Sequence, residues 1–151
     1  MFSLSKTASS WFKGIESQNP FNEGAPNMNI YYLCLLIGLQ SNEPLTELQD
    51  GLPAFVKTWP QSYANVIHPI IAMFLHAEIK RFAVEVNNKD AVKKHIKNYI
   101  SPEDSIRLTE MGVKVLNNYS YSGFVILKKE FREEPKAATE FFEKYLKILN
   151  K

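Results

Sequence analysis

The side chains best suited to chemistry in this sequence are few. His68 and His76 stand eight residues apart, a little over two helical turns, so one helix would present them on a shared face. The spacings by which a helix usually offers metal ligands, Glu-x-x-His and His-Glu-x-x-His, do not occur. His76-Ala77-Glu78 has the His-x-Glu form of zinc deaminases, but the Pro-Cys-x-x-Cys that completes such a site is missing. Cys34 is the single cysteine, which excludes an intramolecular disulfide and any zinc site needing two thiolates. It lies within the most apolar stretch of the chain, where burial would raise its pKa and keep it inert. The three aspartates, Asp50, Asp90 and Asp104, form no obvious catalytic pair, and no phosphate-cradling glycine loop or nucleophile elbow is present. The expectation is a protein without catalytic activity, metal or cofactor. A site around His68, His76 and Glu78 is the enzymatic alternative.

Binding chemistry is better represented. The formal charge of +2 conceals an uneven distribution: residues 1–60 carry three Lys or Arg against five acids, and residues 61–151 carry fifteen against eleven. The densest stretch, residues 80–97, holds Lys80, Arg81, Lys89, Lys93, Lys94 and Lys97 against Glu85 and Asp90. Lys89, Lys93 and Lys97 follow at intervals of four, so three amines line one helical face, with His95 close by. Such a stripe would meet phosphates, which supplies affinity without sequence choice. Between residues 128 and 147, six bases alternate with five acids, the pattern of an ordinary solvated surface.

These residues must be positioned by helices. Phe2-Ser3-Leu4-Ser5 alternates like a short strand, and Ser5 or Thr7 caps a helix to about Ser17 with Ala8, Trp11, Phe12 and Ile15 inward. Residues 18–27 read as a loop, and Asn27 as the cap of an apolar helix ending near Gln40. Residues 41–62 hold Pro44, Gly51, Pro53 and Pro60, too densely for long helices, while Leu45, Leu48, Leu52, Phe55, Val56 and Trp59 should keep the segment against the core. The next helix starts around His68-Pro69, buries Ile70, Met73, Phe74, Ala77 and Phe82, and ends at Asn87-Asn88. Asp90 caps a short helix with Val92, Ile96 and Tyr99 on one face. Ser101-Pro102-Glu103-Asp104 reads as a cap and first turn of a helix carrying Ile106, Met111, Val113 and Leu116, which stops near Asn117-Asn118. Residues 119–127 fit strand or helix by periodicity; helix is favoured because Lys128 to Glu134 continues the run with helix formers. A last helix restarts at Pro135 and buries Phe141, Phe142, Tyr145, Leu146 and Leu149. The whole reads as one all-α domain over residues 1–151, a compact helical bundle with a short N-terminal strand.

With 151 residues, 45% hydrophobic and 23% charged, the chain is long enough to bury its own core and unlike a disordered, collagen-like or membrane sequence. Ile30 to Leu39 is the longest apolar run, and at ten residues it is too short to span a bilayer. It reads as a helix buried on all sides, either in the core or in a contact between subunits. No apolar stretch comes after the polar Met1–Ser10, so the expectation is a cytoplasmic protein.

Several pieces of the sequence resemble the DndE family, small proteins of bacterial DNA phosphorothioation. They are Leu4-Ser5-Lys6, the loop ending in Pro26-Asn27, Gly38-Leu39-Gln40-Ser41, Leu48-Gln49-Asp50-Gly51, the stretch Glu110 to Asn118, and Ser122 to Ile126. Residues 17–26 look inserted relative to that pattern, and residues 128–151 extend past its end. The resemblance implies a ribbon-helix-helix-like start, a homo-oligomer, binding to double-stranded and nicked DNA, and partnership with sulfur-transfer and ATPase subunits. It implies no catalysis by this subunit. Of the family's DNA-binding positions only Lys6 carries over; Lys80, Arg81, Lys89, Lys93, Lys94 and Lys97 come from charge alone. The expected function is a DNA-binding accessory subunit in DNA modification or phage defence. A helical scaffold or regulatory subunit acting through protein contacts is the alternative.

Overall fold

The computed structural model describes residues 1–46 and 53–151. Among them the chain runs β1 (Phe2–Ser3), α1 (Lys6–Trp11), α2 (Pro26–Ser41), β2 (Ala54–Val56), a 3-10 turn at Gln61–Tyr63, α3 (Ile67–Arg81), α4 (Lys89–Ile96), α5 (Glu110–Phe131) and α6 (Ala138–Leu149). The fold is all-α with a small antiparallel pair, as the sequence implies. Leu48, Leu52 and the Leu48-Gln49-Asp50-Gly51 turn lie outside the described residues.

α2 and α5 form the centre. Gly38 and Gly123 bring the two backbones together: a Cβ on Gly38 would collide with the Tyr119 carbonyl, and one on Gly123 with the Cys34 carbonyl. Around this crossing α2 buries Met28, Ile30, Tyr31, Cys34, Leu35, Ile37 and Leu39. The apolar helix is therefore covered within one chain, by α5 and by smaller contacts from α1, α3 and α6. Its composition does not require a second copy. Trp11, Phe12, Phe21 and Phe141 pack edge-on or tilted at one end, with centroids 4.8–6.3 Å apart.

The N-terminal strand exists, and its partner is internal. Phe2 pairs with Val56 and Ser3 with Ala54. On the other edge, Asn117 acts as a substitute strand: its Oδ1 accepts from the Ser3 N–H at 3.2 Å and its Nδ2 donates to the Met1 carbonyl at 3.2 Å. Here β2 and Asn117 of α5 occupy both edges of the strand.

Local signals resolve differently at several element ends: α3 stops at Arg81, short of Asn87-Asn88, and α6 begins at Ala138, past Pro135. Ser5 caps α1 as expected, accepting from the Thr7 and Ala8 amides, but the regular helix stops at Trp11 and turns carry Phe12 and Ile15 inward. α2 starts on Pro26 with Ala25 as cap, ahead of the expected Asn27. α4 is capped by Asn88, whose Oδ1 accepts from the Ala91 N–H at 3.1 Å, and Asp90 sits within its first turn. The largest correction concerns Ser101-Pro102-Glu103-Asp104. Ser101 Oγ accepts from the Glu103 amide and Asp104 Oδ1 from the Ile106 amide, so these side chains close loop turns, an arrangement they serve as readily as a helix cap. The helix begins at Glu110 under a Thr109 cap, and it runs through Asn117-Asn118 to Phe131 because those amides lie buried in it.

Burial faces were also shifted in part. α3 buries Ile67, Ile70, Ile71, Phe74, Ala77 and Glu78, a continuous helical stripe that leaves Met73 and Phe82 outside it at 38% and 53% exposure. Leu45 and Leu146 are likewise exposed.

The helix crossing predicts a sharp mutational signature. Gly38→Ala and Gly123→Ala each push a methyl group into a backbone carbonyl, and should cost about 3 kcal/mol or more in urea unfolding. Met111→Ala, on the exposed side of α5, should stay within about 0.5 kcal/mol of wild type.

Candidate nucleic-acid interface

α4 is a short helix with its charges arranged along its dipole: Asp90 in the first turn, Lys93, Lys94 and His95 in the last. Val92 and Ile96 are half-buried, and Tyr99 is buried just beyond the helix. Lys89, Lys93, Lys94 and Lys97 are exposed on its outer side, and Lys80 is exposed in the last turn of α3. Among the described residues the ion pairs are Arg81–Glu78 and Lys151–Glu130, so none of these five lysines has a described acidic partner. The like-charge spacings Lys89–Lys93 and Lys93–Lys97 cost a few tenths of a kcal/mol each, which Asp90, three and four residues before Lys93 and Lys94, and the dipole alignment offset. Contacts behind the helix fix its orientation.

Those interactions centre on Glu78, which is wholly buried. Arg81 grips it with two bonds, Nε to Oε2 and Nη2 to Oε1, each 2.7 Å. The Tyr119 hydroxyl of α5 donates to Oε2 at 2.7 Å. His95 of α4 brings Nε2 to 3.3 Å from the Glu78 carbonyl and 3.5 Å from the Tyr99 hydroxyl. One carboxylate therefore links α3 to α5, while its own backbone receives α4. Burial alone would raise the Glu78 carboxyl, but the bonds from Arg81 and Tyr119 and the Arg81 charge outweigh it and hold the group below its ordinary value. The bond to Glu78 pulls Arg81 upward, and burial together with the Glu78 charge pushes Tyr99 to about 12.

The candidate residues separate accordingly. Arg81 is committed to Glu78 and to the face of Phe82, its guanidinium carbon 4.4 Å from the ring centroid; it braces the interface instead of offering a free cation. Lys6 is exposed in the first turn of α1, on a different element from the other candidates. Lys80, Lys89, Lys93, Lys94 and Lys97 remain on α3, α4 and the turn after it. The enzymatic alternative is not assembled: His68 and His76 are exposed, whereas Glu78 points into the interior and is saturated by Arg81 and Tyr119. Burial raises the Cys34 thiol far above its ordinary value. Among the described residues no cluster of His, Cys, Asp or Glu could hold a metal, and no helix is long and apolar enough to cross a membrane.

Two features have no clear signal in the sequence. Tyr119 reads there as part of an apolar close, and its role as a Glu78 donor arises from the α5 register. A cleft of about 580 Å³ lies between the 18–27 loop, α2 and α6, walled by Phe21, Tyr32, Tyr63 and Phe142. Compared with known proteins, the chain matches no family model, no curated protein and no solved structure.

The Glu78 network makes stability depend on pH in a stated direction. The folded carboxyl has a lowered pKa, so the unfolded chain binds the extra proton first. The contribution is complete above the ordinary carboxylate value of about 4.3 and fades as pH falls through the lower folded value. Glu78→Gln should cost about 2 kcal/mol at pH 7 and flatten the loss of stability as pH falls below the ordinary carboxylate value, measured by urea unfolding.

Proposed function

We propose that this protein is a non-catalytic DNA-binding subunit that holds the phosphate backbone with the lysines of α4. The observation carrying the reading is that Lys89, Lys93 and Lys94 of α4 and Lys97, which caps it, stand exposed without acidic partners among the described residues. Their helix is braced from behind by His95, Tyr99 and the Glu78–Arg81 pair. A rigid base favours such contacts, because less ordering is needed on binding. Phosphate contact of this kind follows backbone shape and carries no base choice. Lys80 extends the basic surface, and Arg81 acts as its brace.

The motif resemblance to the DndE family supports the wider setting: a cytoplasmic accessory role in bacterial DNA modification or phage defence, beside sulfur-transfer and ATPase subunits. The intramolecular pairing of β1 with β2 bears on the oligomer expected from that resemblance. A homo-oligomer would have to form through another surface than the N-terminal ribbon.

The second reading, a helical scaffold acting through protein contacts, draws on the aromatic cleft between α2 and α6. Clefts walled by tyrosine and phenylalanine suit a partner's apolar side chain.

A gel-shift or anisotropy titration at several salt concentrations separates the two. With about four phosphates neutralised, log affinity should fall with log salt at a slope of about −3.6. Replacing Lys89, Lys93 and Lys97 by Glu should remove binding with helicity retained, and replacing the same three by Gln should lower the slope magnitude by about 3. Absence of binding at low salt to intact, nicked and single-stranded DNA alike would sink the DNA reading and leave the scaffold one.

A further inference from the structure

We infer that the cleft between the Phe82–Asn88 segment and α4 receives one unstacked nucleobase, which gives the protein a preference for single-stranded nucleic acid over duplex. This rests on the proposal that the α4 lysines hold phosphates, and it adds a base site to a backbone site.

Phe82 is 53% exposed although it directly follows a well-packed helix. The ring is held in place. The Arg81 guanidinium lies 4.4 Å from its centroid, and the His95 ring meets it at 5.0 Å with an interplanar angle of 62°. Arg81 is itself fixed by its two bonds to Glu78. An aromatic ring ordered in advance loses little freedom when a base stacks on it. The backbone beside it is also constrained. Ala83 has φ 52°, the left-handed region that a residue with a Cβ avoids. Hydrogen bonds from the Ala83 amide to Lys80 and from the Val84 amide to Ile79 enforce the turn.

His95, which meets the Phe82 ring, also lines a cleft of about 380 Å³ that has the chemistry of a base site rather than a phosphate site. Val84 gives it an apolar wall, and Asn88, His95 and Asn98 supply hydrogen-bonding groups. The Asn88 carbonyl oxygen is spent on the helix cap, which leaves its amide N–H groups as donors. Glu85 on the rim accepts hydrogen bonds and repels phosphate. A base edge offers the amino and imino donors that suit such an acceptor. Lys94 lines the same cleft, so a phosphate flanking the inserted base meets an amine. In a duplex both faces of every base are stacked and its pairing edge is occupied, so only a single strand or an unpaired nucleotide can enter.

The test uses the full chain and dye-labelled oligothymidine of about fifteen nucleotides, a length within the range one single-strand site occupies, beside a duplex of equal length, read by fluorescence anisotropy. Oligothymidine should bind at least about tenfold more tightly than the duplex at matched salt. Phe82→Ala should lower oligothymidine affinity about tenfold or more, with the salt slope and the duplex affinity unchanged, because it removes stacking and no charge. Phe82→Trp should retain the preference. Equal binding of the two probes, or a Phe82→Ala variant indistinguishable from wild type, overturns the base site and leaves the phosphate reading standing. Failure of the wild-type chain to bind either probe overturns both. Binding to phosphatidylserine vesicles with neither probe bound also overturns both, and would assign the exposed Phe82 and Val86 to a membrane surface.

Discussion

Two helices that touch through their backbones organise this protein. At the crossing of α2 and α5, Gly38 faces the Tyr119 carbonyl and Gly123 faces the Cys34 carbonyl, with no room for a Cβ on either. Approach this close brings the flanking side chains of both helices into full contact, where dispersion and apolar burial accumulate over many atoms. It also dictates register. With Gly123 opposite Cys34, the buried Asn117, Tyr119, Ser120 and Ser122 of α5 fall where each finds a partner. Ser120 Oγ donates to the Tyr31 carbonyl at 3.0 Å, Ser122 Oγ to the Glu43 carbonyl at 2.9 Å, and the Tyr31 hydroxyl to Asn117 Oδ1 at 2.8 Å. Among the described residues no buried side-chain nitrogen or oxygen lacks a partner.

From that register the rest of the architecture is built in steps. Asn117 is presented to the N-terminal strand and closes its free edge. Tyr119, two residues on, is presented to Glu78 on α3. Glu78 in turn holds Arg81, and Arg81 covers one face of Phe82. The same Glu78 offers its carbonyl to His95 of α4. The basic surface is therefore connected to the helix crossing by hydrogen bonds and ring contacts, and a helix of eight residues that would be marginal alone is held in one orientation. Charge at the surface and polarity in the core belong to one chain of contacts.

Much of the fold was legible because its signals are short-ranged. The apolar faces of α1 and α2, the helical nature of 119–127 and the lysines on α4 depend on spacing along one element, and spacing is visible in a sequence. The structure departs from the local signals where one pattern serves two structures. Ser101-Pro102-Glu103-Asp104 bonds to nearby amides in a loop as well as at a helix start, and Asn117-Asn118 continues a helix here because both residues are buried, with Asn117 bonded to Tyr31, Ser3 and Met1. The candidate interface divides in the same way. Lys89, Lys93, Lys94 and Lys97 emerged from charge and spacing, whereas the withdrawal of Arg81 required knowing that a buried carboxylate sits three residues before it. Phe82 resembled another residue of an apolar stripe until the stripe's centre, set by Phe74, Ala77 and Glu78, turned it outward.

The sequence by itself determined the helical class, the cap at Ser5, the apolar character of α2 and the uneven charge that a net of +2 conceals. Each is a property of composition or of neighbours within a few turns. Only the tertiary structure decided that α2 is covered within one chain, that β1 pairs with β2, and that Glu78 is the anchor behind the lysine face. These are meetings between residues far apart in sequence: Tyr119 and Glu78 are separated by 41 positions, and Ser3 and Asn117 by 114. Their physical basis is the close packing of α2 on α5, a constraint of shape between two glycines that no local pattern encodes.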